Sequence, residues 1–119
     1  MDFKIYKTKI KDEVIVPLTE YMQEYKNESG YNIFHIIACK IILVRYLKKL
    51  KGIKIVSNEN IMKAVKWVVI SLNKLNEKTE YCLIETDVRE SIWEIIQNSA
   101  IDCGLKGFDE DITEEWREW

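Results

Sequence analysis

The only histidine, His35, and the nearest cysteine, Cys39, stand at positions i and i+4, a spacing that brings two side chains together on one helix face. A thiol beside an imidazole is the smallest arrangement for nucleophilic catalysis, with the imidazole taking the thiol proton. Both residues lie in the apolar run from Ile33 to Leu47. A reactive thiolate wants an accessible, electropositive setting, so a structural place in the core is the favoured reading for each. Cys82 and Cys103 complete the cysteines. An odd count with no Cys-x-x-Cys pair does not suit a disulfide framework, and a reducing compartment is the simplest inference. Glycines stand only at 30, 52, 104 and 107, which leaves no phosphate-cradling loop. Ligands for zinc are too few and wrongly spaced, and Asp109-Glu110-Asp111 lacks the frame of a calcium loop. The expectation is a non-enzymatic protein with no catalytic residue, no metal and no cofactor.

Charge carries more information. Residues 40–66 hold eight basic side chains (Lys40, Arg45, Lys48, Lys49, Lys51, Lys54, Lys63, Lys66) against the single acid Glu59. Residues 85–119 hold eleven acids against Arg89, Lys106 and Arg117. The whole chain is only −2, so the blocks either attract each other as solvated faces or one of them meets a partner. The basic block spans a helix, a glycine-containing break and a second helix, which is superficially the order of a helix-turn-helix. Its second helix offers Asn58, Asn60 and Lys63 to read bases, without Arg or Gln, and DNA-binding modules are usually net basic. A nucleic-acid-binding regulator using 40–66 is therefore the alternative reading.

The segment Asp109 to Trp119 packs six acids and two tryptophans into eleven residues. One reading is an amphipathic cap, with Trp116 and Trp119 plugging a bundle. The other is a recognition surface: carboxylates imitate phosphates in a basic cleft, and tryptophan supplies desolvated contact area. The candidate partner-binding residues are Asp109, Glu110, Asp111, Glu114, Glu115, Trp116, Glu118 and Trp119.

Helices must position these residues. Phe3, Ile5 and Val14-Ile15-Val16 fit short strands or a helix surface, and irregular or helical structure is favoured for 3–16. Pro17 suits a first helical turn, with Leu18, Tyr21, Met22 and Tyr25 following at helical spacing. Asn27 to Gly30 is a breaker. Asn32 caps a helix that runs to about Lys51 and stops at Gly52. It is apolar over most of its circumference, as a central helix is. Its β-branched content keeps a pair of buried strands open, but its length favours helix. Ser57 caps a helix over roughly 58–76, whose seam is Ile61, Val65, Val68, Leu72 and Leu75. Asn76 to Thr79 reads as a loop and Tyr81 to Ile84 as a short extended piece. Asp87-x-x-Glu90 reads as a capping box for a helix over about 88–103, ended by Gly104. Asp111 then caps a short helix with Ile112, Trp116 and Trp119 on one side. The expected fold is all-α: one domain over 1–119, a compact bundle of four to five helices around the 33–50 helix.

The run Ile33 to Leu47 is too short and too charged to span a membrane, and Met1-Asp2-Phe3-Lys4 does not open a secretory signal. A cytoplasmic protein without membrane contact is expected.

In overall character the chain resembles the small immunity proteins encoded beside bacterial contact-dependent inhibition and other polymorphic toxins. The likeness rests on an acidic stand-alone domain without a catalytic motif, and on the acidic-aromatic ending Asp111-Ile112-Thr113-Glu114-Glu115-Trp116-Arg117-Glu118-Trp119. These proteins share no single motif or fold, so no residue is carried over by position. The resemblance implies tight binding to a cognate toxin domain, often a nuclease, in the producing cell. Inhibition would follow from blocking the active site or a nearby surface.

Overall fold

Asp2 caps the first helix, its side chain accepting the Lys4 and Ile5 backbone N–H groups at 3.0 and 3.3 Å. In the computed structural model, which describes residues 1–119, the order is α1 (Phe3–Ile10), a π-helical segment (Lys11–Ile15), α2 (Val16–Glu24), α3 (Ile33–Lys51), α4 (Asn58–Lys78) and α5 (Thr86–Asp102). The first three run on without a break, so residues 3–24 form one rod. Strands are absent, and the strand readings of 3–16, of 33–50 and of 81–84 give way to helices and turns.

The π segment has a cause in the sequence. Tyr6, Ile10, Val14 and Leu18 are all buried and recur every four residues. In an ideal α-helix each such step drifts about 40° round the axis, which would carry Leu18 away from the core. A wider π turn, with N–H bonded five residues back, restores the phase. The Val16 N–H duly bonds the Lys11 carbonyl. Pro17 follows directly, where its missing N–H and its ring would break an ordinary α ladder. Pro17 therefore stands in the first turn of α2, as its missing N–H suits, while α2 itself continues the rod.

Four rods result, and they close a ring: 3–24 packs on α3, α3 on α4, α4 on α5, and α5 back on the first rod. This is an all-helical bundle, as expected, but α3 is not surrounded. Its inner side buries Ile36, Cys39, Leu43, Tyr46, Leu47 and Leu50. Its outer side leaves Ile33, Phe34, Ile37 and Ile41 exposed, Phe34 by 75%. The apolar circumference is real, but part of it meets water. Across the ring's interior, the Tyr46 hydroxyl donates to the Ile96 carbonyl at 2.9 Å, and Ser99 Oγ lies 3.1 Å from the same phenolic oxygen.

Helix ends follow local chemistry, with two corrections. α4 continues through Asn76 to Lys78. Asn76 is buried and organises the turn beyond: its carbonyl accepts the Tyr81 N–H at 2.8 Å, and its side chain accepts the Ile84 N–H at 2.9 Å. α5 starts at Thr86 with Glu85 in the cap position. The Asp87 capping box does not form, and Asp87 lies in the first turn, where a carboxylate suits the helix dipole. Gly104 ends α5 at φ 119°, and the Leu105 N–H closes on the Ala100 carbonyl at 3.1 Å, a Schellman-type stop. No helix is long and apolar enough to cross a membrane.

Candidate protein-interaction face

The His35–Cys39 pair resolves into two structural residues. His35 Nδ1 accepts the Asn32 N–H at 3.1 Å while the Asn32 side chain accepts the Phe34 N–H at 3.0 Å, a capping box at the start of α3. Cys39 is fully buried, which pushes its thiol up to about 12, far from a thiolate at neutral pH. No hydrogen bond joins the two. His35 is half-buried at a helix end, so it is a cap and not the core residue expected.

The segment after α5 is held by side-chain amides. Asn58 clasps Lys106, donating to its carbonyl at 2.8 Å and accepting its N–H at 3.0 Å. Gln97 donates to the Glu110 carbonyl at 3.0 Å and accepts the Ile112 N–H at 3.1 Å. Asn73 donates to the Trp116 carbonyl at 2.7 Å and accepts the Glu118 N–H at 3.0 Å. Each amide pairs one donor and one acceptor of an irregular chain, as a neighbouring strand would. The short terminal helix expected after Asp111 does not form; residues 112–116 are turns. A helix that short gains little from its own hydrogen bonds, and Asn73 captures the backbone groups it would need.

Asp111 is the internal anchor. Its carboxylate accepts the Trp93 indole N–H at 2.7 Å and the Thr113 N–H at 2.9 Å, and pairs with Arg117 at 2.8 Å. Burial alone would raise its pKa. The hydrogen bonds from Thr113 and Trp93 and the Arg117 charge outweigh that and hold the carboxyl below its ordinary value. Trp116 and Trp119 are half-buried and pack against the core. Lys66 lies 5.9 Å from the Trp116 ring centroid and Arg117 lies 5.4 Å from that of Trp119. Of the eight candidate residues, Asp111, Trp116 and Trp119 thus fix the segment in place.

The other five, Asp109, Glu110, Glu114, Glu115 and Glu118, are exposed. None has a cation within 4.0 Å: the ion pairs of the chain are Lys63–Glu59 and Arg117–Asp111. Asp109, Glu110, Glu114 and Glu115 line an open concavity of about 560 Å³, to which Met62, Phe108 and Ile112 add apolar surface. Asp87, Glu90 and Glu94 of α5 are exposed at i, i+3 and i+7, one ridge of the helix. A second open hollow, lined by Arg89, Glu90, Trp93, Glu94, Asp111 and Arg117, joins that ridge to the segment and carries both signs of charge. Glu90 and Glu94 thus adjoin the segment at Asp111, and with Asp87 they extend the acids about 10 Å along α5; Asp102 lies apart, accepting the Tyr6 hydroxyl.

No protein-family model, curated protein or solved structure matches the chain. Its function must be read from surfaces.

The basic block adjoins the acidic segment at Asn58, Met62 and Lys66, and other members of it are engaged elsewhere. Lys49 covers Trp67, with Nζ 4.7 Å from the ring centroid, and Lys51 lies 5.2 Å over Phe3. The three side chains that would read bases are engaged within the molecule. Asn58 holds Lys106, Asn60 donates to the Ile55 carbonyl at 2.8 Å, and Lys63 pairs with Glu59 at 3.6 Å. Sequence reasoning gave Asn58 another role and missed Asn73 and Gln97, whose only signal was an amide beside an apolar helical seam. It also missed Phe108 and Met62, which carry no charge.

Proposed function

We propose that this protein is a non-enzymatic immunity protein that binds and neutralises a toxin domain with a basic surface, in the cytoplasm of a toxin-producing bacterium. The supporting observation is a set of exposed carboxylates without internal counter-ions, placed round an aromatic-edged hollow on a rigidly clasped segment. Lone surface acids are worth little, but a field of one sign speeds encounter with an opposite surface and selects among partners. Phe108, 42% exposed in the middle of that field, gives the apolar contact that slows release. A nuclease domain is the fitting class of partner, because its phosphate-binding cleft presents the complementary charge.

Affinity purification with the whole chain as bait should retain one basic protein at one-to-one stoichiometry. The variant Glu110→Lys/Glu114→Lys/Glu115→Lys should lose at least about tenfold in affinity while keeping its melting temperature. Unchanged affinity would remove the segment from the interface.

A further inference from the structure

At the Asp87 end of the α5 ridge, α2, the turn after it and the start of α5 line a half-open cavity of about 220 Å³. That is below the roughly 300–1,000 Å³ of pockets for drug-sized ligands, and of a size for a single side chain. Tyr21 and Tyr31 form one side, with ring centroids 6.3 Å apart and planes 19° from parallel. The Tyr31 hydroxyl donates to the Leu18 carbonyl at 2.9 Å, which fixes the ring. Leu18, Leu83 and Val88 supply apolar surface. Glu85 and Asp87 supply the charge, both exposed and neither within 4.0 Å of a cation. No lysine or arginine lines the cavity.

The cavity is built, not incidental. At Gly30, φ is 83°, and a Cβ there would meet the Cys82 side chain at 2.7 Å. Only glycine lets the turn before Tyr31 rest on the loop before Glu85. Tyr31 feels the result: burial first, then Tyr21 and the Glu85 charge, push its phenol up to about 12, so its ring stays neutral in ordinary conditions.

We propose that this cavity receives the guanidinium head of an arginine side chain presented by the protein's basic partner. A guanidinium is less strongly hydrated than an ammonium, so it enters a cavity edged by tyrosines and lined by apolar side chains at lower cost. Its methylene stem meets Leu18 and Val88, and its N–H groups reach two carboxylates that lack a partner. The inference rests on the reading that the partner is basic, and it adds a specificity pocket distant in sequence from the 109–119 acids.

The test needs no partner. The intact chain is titrated with N-acetyl-arginine amide and followed by NMR at the Val88 methyls and the Tyr21 and Tyr31 rings. Saturable shifts at millimolar ligand are expected, with the neutral isostere N-acetyl-citrulline amide at least about tenfold weaker. The variant Glu85→Gln/Asp87→Asn, altered only at exposed positions, should stay folded, with its melting temperature lowered by a few degrees as the first turn of α5 loses a carboxylate, and should lose at least about tenfold in affinity. Agmatine, which carries the head without a peptide backbone, should bind within a few-fold of the amide. Equal binding of citrulline, or no shifts at these resonances, overturns the proposal. Agmatine binding more than about a hundredfold tighter than the amide also overturns it, because a free amine and not a protein side chain would then be the ligand. The Glu110→Lys/Glu114→Lys/Glu115→Lys variant should still bind the amide. Failure of the pocket and failure of the acidic segment can thus be told apart.

Discussion

Asp111 takes three hydrogen bonds and an ion pair that together join α5, Thr113 and Arg117. Its folded pKa lies below the ordinary 3.8. Ionised Asp111 therefore contributes stability at every pH above that ordinary value, and the contribution is lost as pH falls through the lower folded value. Tryptophan emission from Trp116 and Trp119 should shift in acid below about pH 4, and Asp111→Asn should remove that transition. The same substitution leaves Arg117 unpaired and should destabilise the fold by about 1–3 kcal/mol. Asn73→Ala removes both hydrogen bonds to the 116–118 backbone and should cost about 1–3 kcal/mol in chemical denaturation, with a red-shifted tryptophan emission in the native state. Cys39, buried and with its thiol raised to about 12, should resist alkylation at neutral pH until the protein unfolds. Rapid labelling of Cys39 in the native protein would restore a reactive role for it.

Among the elements, α3 has an inner face that holds the bundle and an outer face that does not. Phe34 is 75% exposed, so Phe34→Ser should change stability by no more than about 0.5 kcal/mol. A larger loss in a thermal melt would mean that something covers that face. The elements were legible where one local signal dominated. Asn32 with Gly52, Ser57, and Gly104 mark their helix ends in the sequence and in the structure. They were less legible where tertiary partners decide. Asn76 looks like a breaker, yet it closes α4 from inside by binding the Ile84 N–H. The box at Asp87 yields to a start two residues earlier, at Thr86 with Glu85 in the cap position. The four-residue spacing from Tyr6 to Leu18 matches neither a strand nor an ideal helix, and only the π turn reconciles it with one buried face. The segment after Asp111 reads as helix because its tryptophans share a side. Asn73 and Gln97, remote in sequence, hold it in another conformation.

At the scale of the molecule, the acids of 85–119 and the lysines of 40–66 do not cancel. Of all the acids in that stretch only Asp111 has an ion-pair partner, and the partner is Arg117 of the same stretch. The two charge blocks were plain in the sequence. That they adjoin without forming an ion pair between them was not, because it depends on where four rods and an irregular segment place them. A chain −2 overall thus presents an acid-rich concavity at 109–115, with Arg89 and Arg117 in the hollow beside it.

The most direct measurement is the association rate of the captured partner with the whole chain as ionic strength is raised, beside the Glu110→Lys/Glu114→Lys/Glu115→Lys variant. An open acidic face requires the wild-type rate to fall by at least about tenfold from low to physiological salt, and the variant to start slow and vary little. A rate indifferent both to salt and to charge reversal would contradict it.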